Sequence, residues 1–109
     1  MAFDEHHAQI MRDALADLEG ITERRMFGGL CFMLNGNMLC GVHQDGGMAR
    51  VGKENETEAL EVEGVKPLSF TGRKMGGIVE FDGDVLENDQ RRDQVLDLAY
   101  DYVGAVPAK

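Results

Sequence analysis

The dipeptide Asn35-Gly36 constrains this chain more than any other feature. A two-residue type I′ turn needs positive φ at both central positions, which Asn and Gly reach at low cost, and its twist matches the strands it joins. Apolar residues flank it on both sides, so the stretch from 24 to 52 reads as strands broken by turns. A two-residue turn pairs Leu34 with Asn37, then Met33 with Met38, Phe32 with Leu39 and Cys31 with Cys40. A second turn at Asp45-Gly46-Gly47 returns the chain into Met48-Ala49-Arg50-Val51, which makes three antiparallel strands in a meander.

On that register one face carries Met26, Leu30, Phe32, Leu34 and Leu39, and the other Phe27, Cys31, Met33, Met38, Cys40 and Val42. A sheet with one wet face alternates apolar with polar residues. Here both faces are apolar and both need cover. Either helices and loops wrap both sides within one chain, or a second subunit covers one of them. The expectation of a homodimer rests on this pattern.

The remaining sequence supplies the cover. Asp4 reads as an N-cap, Ile10, Met11, Ala14 and Leu18 follow at helical spacing, and Gly20 closes that helix. Residues 53–63 form a charged helix with Ala59 and Leu60 inward, ended by Gly64. Residues 67–70 and 77–81 read as two more strands, joined by the glycine-bearing loop 72–76. Asn88 caps a last helix with Val95, Leu98, Ala99 and Tyr102 on one stripe, and Pro107 lies beyond it. The expected fold is α+β: a two-layer α/β domain over 1–109, with an antiparallel sheet of about five strands and three helices, in the order α-β-β-β-α-β-β-α. A chain of 109 residues is one domain, with enough core to fold unstapled.

Charge and short motifs narrow the function. Twenty acidic residues against eleven basic give a net charge of −9. Phosphate backbones are held by clustered Lys and Arg, so direct nucleic-acid binding is not expected. The opening Met1-Ala2-Phe3-Asp4-Glu5 lacks the basic and apolar regions of a secretion signal, and no apolar run approaches a membrane span. The expected location is cytoplasmic, where Cys31 and Cys40 are two small buried hydrophobes rather than a disulfide.

His6 and His7 are adjacent on a helix and diverge by about 100°, and His43 projects away from Cys40 on an unbulged strand, so no metal site is expected. Neither a nucleophile elbow nor a phosphate-binding GxxxxGK[ST] loop occurs, and Ser69 is the only serine. No catalytic residue and no cofactor is expected. The candidate binding residues are Arg25, Phe27, Gly28, Gly29, Arg50, Arg73 and Lys74, whose glycines and cations could form an anion-binding concavity. Structural glycines in a tightly packed hairpin are the competing account.

Four segments are similar to the motif series of one family: Arg25-Met26-Phe27-Gly28-Gly29-Leu30, Asn35-Gly36-Asn37-Met38, Ala49-Arg50-Val51-Gly52 and Phe70-Thr71-Gly72-Arg73-Lys74-Met75-Gly76-Gly77. In this order they resemble the N-terminal domain of the TfoX/Sxy competence regulators. The resemblance implies a two-layer α/β fold of the secretion-chaperone-like type, with no catalytic residues to transfer. It also implies a regulatory role in transcription of DNA-uptake genes, although the regulators' C-terminal domain has no counterpart here. The expected function is a non-enzymatic module working through protein contacts, with Met26, Met33, Met38, Met48 and Met75 as adaptable contact residues. A small-anion or metabolite sensor is the first alternative and a small enzyme the second.

Overall fold

The computed structural model describes residues 3–26, 28–44, 46–70 and 73–107, with the side chains at 26, 69, 70 and 73–75 outside that description. Helix α1 (Glu5–Ala14) starts where Asp4 accepts a hydrogen bond from the His6 amide at 2.8 Å. It ends before Gly20: Asp13, Asp17 and Glu19 oppose the negative end of a longer helix, and the Leu18 amide instead closes a tight turn onto the Leu15 carbonyl. Ala8 and Met11 face inward, and Ile10, Ala14 and Leu18 pack at the margin of the core.

Among the described residues six strands follow, not about five. They are β1 (Ile21–Met26), β2 (Gly29–Leu34), β3 (Asn37–His43), β4 (Gly46–Arg50), β5 (Val65–Phe70) and β6 (Arg73–Asp82). All pair antiparallel in the order β1-β2-β3-β4-β6-β5. The additional strand, β1, reads Ile-Thr-Glu-Arg-Arg-Met and lacks an apolar run. An edge strand packs on one side only, and its charges protect the edge from pairing with another chain. At the other edge, the expected loop 72–76 is largely strand, since Arg73 already pairs with Phe70. Its centre at Thr71-Gly72 lies outside the described residues. Gly46 and Gly47 are likewise in β4 rather than in a turn, with Gly46 opposite His43, while Asp45 lies outside the described residues.

The turn that began the argument forms as expected, with φ of 53° at Asn35 and 87° at Gly36. The register beyond it does not. Leu34 pairs with Asn37 and Met33 with Met38, but Phe32 then pairs with Cys40, Cys31 with Gly41 and Leu30 with Val42. Leu39 is therefore an extra residue in β3, a β-bulge that shifts every later pair by one. Cys31 and Cys40 do not face each other. Cys40 and Val42 join Phe32 and Leu39 on one face, while Cys31 stays on the other.

Among the described residues four helices cover the first face, one more than expected. α2 (Lys53–Leu60) joins β4 to β5, the short α3 (Gly83–Leu86) follows β6, and α4 (Asp89–Val103) ends the domain. Asn88 caps α4 by accepting from the Arg91 amide at 3.0 Å. Ala59, Val85, Leu86, Val95, Ala99 and Val103 meet Phe32, Leu39, Val42, Val79 and Phe81 there. The second face holds a separate small cluster of Cys31, Met33, Met48 and Leu68, with Met38 and Ile78 at its edge. All four members are buried within the single chain. Met26 and Phe27, expected on opposite faces, lie outside the described side chains.

Burial pushes both thiols above their ordinary range, Cys40 most of all, and the sheet separates them. Both should resist a thiol-specific reagent in the folded domain and react only in denaturant. Rapid labelling of Cys40 in the native protein would contradict the register described here.

Candidate functional site

Two of the sequence segments singled out above converge at one end of the sheet. There the chain leaves β4 through Arg50-Val51-Gly52 and enters α2, beside the point where β6 passes through Gly76-Gly77. The Gly77 carbonyl accepts from the amides of both Val51 and Gly52, each at 2.9 Å. Gly52 is the N-cap of α2, with φ of 84° and ψ of 156°. A Cβ there would lie 2.4 Å from Cδ1 of Tyr102, so only glycine admits both this backbone and the ring that α4 presses onto it.

The result is an open cleft of about 490 Å³ lined by Arg50, Gly52, Lys53, Glu54, Gly76, Gly77, Ile78 and Tyr102. The Arg50 guanidinium lies 5.4 Å from the Tyr102 ring centroid, a cation–π contact that holds it half-buried over the cleft. The stem of Lys53 passes over Gly76, which has no side chain to obstruct it. A glycine N-cap offers no side chain to the first amides of α2, and that helix end is positive. Two cations and a positive helix end thus face one carboxylate, Glu54, in a protein whose net charge is −9. The arrangement can hold a small anion.

The expected site residues do not all gather here. Arg50 lines the cleft, whereas Arg25 and the Gly28-Gly29 turn lie at the opposite end of the sheet. The registers show this: Leu30 pairs with Val42 and Val42 with Gly47, while Arg50 pairs with Ile78 at the far end of β4. Arg25 stacks over Phe3 at 5.6 Å. A Cβ on Gly29 would collide with the Val42 carbonyl, so this glycine serves the close approach of two strands. Phe27 lies outside the described residues, and the side chains of Arg73 and Lys74 are not described. Gly52, Lys53 and Tyr102 were not singled out as binding residues in the sequence. Gly52 and the Gly76-Gly77 pair stood in the motif series, but nothing in one dimension placed them side by side.

A different kind of concavity lies on the helical layer. One groove separates α1 from α4, floored by Leu15, Leu18 and Leu96 and edged by Asp17, Asp93, Asp97 and Tyr100. A smaller one between α2 and α4 has Val62 and Leu98 beneath Glu58 and Asp97. Tyr100, 47% exposed, is the one large apolar side chain exposed among the described residues. Among those residues no three His, Cys, Asp or Glu side chains are placed to hold a metal ion. No helix is long and apolar enough to cross a membrane, again among the described residues.

An open antiparallel sheet with helices on one face, a cationic cleft at one end and acidic grooves over the helices defines a small α+β module. The chain matches the model of the TfoX N-terminal domain over residues 13–103 and belongs to that family. No curated protein and no solved structure matches it.

The contact between Gly52 and Tyr102 closes the cleft, and it is testable by stability. Gly52→Ala combines a clash with a strained φ and should destabilise the domain by about 2 kcal/mol in urea unfolding. Shortening the ring in Gly52→Ala/Tyr102→Leu should recover part of that loss. An unchanged unfolding midpoint in the single variant would contradict the packing.

Proposed function

We propose that this domain is a non-catalytic regulatory module that works by contact with another protein, made through its helical layer. The observation that carries this reading is the groove between α1 and α4, where the exposed Tyr100 stands over an apolar floor. Interfaces are anchored by aromatic side chains over apolar pockets with a polar rim, and this groove has those parts. Membership of the TfoX N-terminal domain family supports a regulatory role, since the competence regulators act in transcription. The acidic surface favours a protein over DNA as the contacted molecule. The cluster of Cys31, Met33, Met48 and Leu68 is already out of water in one chain, which supports a contact surface on the helices rather than on that sheet face.

A photo-crosslinking residue at position 100 tests this in cells, with position 24 on the sheet as the comparison. A discrete protein adduct is expected at 100 and not at 24. Light scattering of the purified domain then separates a second copy from a different protein. No adduct at 100, or the same adducts at both positions, would overturn the reading.

The cleft supports a second reading, a small-anion or metabolite sensor, because Arg50, Lys53 and the start of α2 surround it. Titration with millimolar inorganic phosphate should then move the amide resonances of Lys53 and Glu54, and Arg50→Gln should abolish the shift. Absence of any shift at those amides removes this reading.

A further inference from the structure

We propose that the groove between α1 and α4 is a docking site for a basic amphipathic helix of a protein partner. The inference rests on the protein-contact reading above and adds the partner's chemistry. Charge complementarity is its ground.

The α4 side of the groove presents Asp89, Asp93, Leu96, Asp97 and Tyr100. These fall three and four residues apart and so share one helix face. At 1.5 Å per residue the stripe runs about 16 Å, three turns of a docked helix. The facing side comes from α1 and the turn after it. Ala14 lines both the stretch near Leu18 and the one beside Ile10, so the two cavities, of about 270 and 280 Å³, adjoin there and are taken together as the trough. Leu15 and Leu96 are buried at its floor and Leu18 is half-buried.

The rim is acidic throughout. Asp17, Asp93 and Asp97 edge one half, and Asp13, Glu87 and Asp89 the other. All six are exposed. Among the described residues Arg92 is the one Lys or Arg lining the trough, and it is already engaged. Its Nη1 donates to the Leu86 carbonyl at 3.2 Å and to Asp89 at 3.1 Å, and its Nη2 lies 3.2 Å from Asp93. Glu87 is already bonded to His7 Nε2 at 3.0 Å, and the other five carboxylates against one committed guanidinium leave an excess of four negative charges along the trough. Carboxylates this close repel one another across less than two Debye lengths and attract a row of cations.

The sign of that field turns away nucleic acid, acidic peptides and anionic lipid. The trough lies between α4 and the end of α1 with its following turn, none of them a strand, so it offers no sheet edge for an added strand. What fits is a helix in a groove: apolar residues spaced three and four apart on the floor, with Lys and Arg on both flanks.

The test is fluorescence anisotropy of the intact domain with an 18-residue labelled Leu/Lys amphipathic helical peptide. Saturable binding is expected, with at least tenfold weakening for Asp17→Lys/Asp97→Lys and for Tyr100→Ala. Glu61→Lys/Glu63→Lys changes the net charge equally, away from the trough, and should leave affinity within about twofold. The same peptide with Glu in place of Lys should not bind. Thermal melting by circular dichroism checks that each variant is folded. Equal weakening by both charge-reversed pairs, or no binding of the basic peptide, overturns the proposal. If position 100 still crosslinks a protein in cells while the peptide fails, the partner chemistry is wrong and the contact reading stands.

Discussion

The extra residue in β3 is the constraint on which the rest of this structure depends. Because side chains alternate across a strand, an unbulged β2–β3 pair would send Cys40 and Val42 to the face away from the helices. Inserting Leu39 opposite the Phe32 position returns both to the helical side, next to Phe32 itself. The main core then receives Leu39, Cys40 and Val42 from one strand, enough apolar surface to seat α1, α3 and α4. Among the described residues the other face keeps Cys31, Met33 and Met48 at its centre, a cluster that Leu68 of β5 completes. Both faces are apolar, but unequally so.

That asymmetry organises the surface as well. The helices carry half of the acids, chiefly in α2 and along α4, while Arg24, Arg25, Arg50 and Lys66 belong to strands. The exposed Arg12 is an exception that shows the usual weight of such charges. Its guanidinium meets Glu23 of β1 at 2.7 Å and holds that carboxyl below its ordinary range. The pair's contribution is complete above the usual carboxylate range and lost as pH falls through the lowered value, and at the surface it is under about 1 kcal/mol. Charge on this domain therefore matters more for what it attracts than for how firmly it folds. The cationic cleft and the acidic trough lie on different parts of the molecule and suit ligands of opposite sign.

Much of this was legible in the residues. The Asn35-Gly36 turn, the caps at Asp4 and Asn88, the apolar stripe of α4 and the family resemblance all depend on local chemistry, and all were recovered. β1 was not, because Thr22, Glu23, Arg24 and Arg25 conceal an edge strand that needs little apolar surface. Neither was the strand character of residues 73–76, where glycines that usually mark a turn lie inside β6. The binding cleft was half legible. Arg50 and the glycine pair at 76 and 77 stood out, while Tyr102 carried no signal beyond its place on an apolar stripe.

By itself, then, the sequence determined the fold class and the first two pairs of the central hairpin, since turn geometry and periodicity act over a few residues. Only the tertiary structure decided where the register slips, which cysteine faces the helices and which glycines meet across the cleft. Those outcomes depend on how the helices and neighbouring strands pack against the hairpin, which decides where a bulge's extra residue goes. Leu39 is such a residue: fully buried, and covered by helices whose contact with it no local pattern encodes.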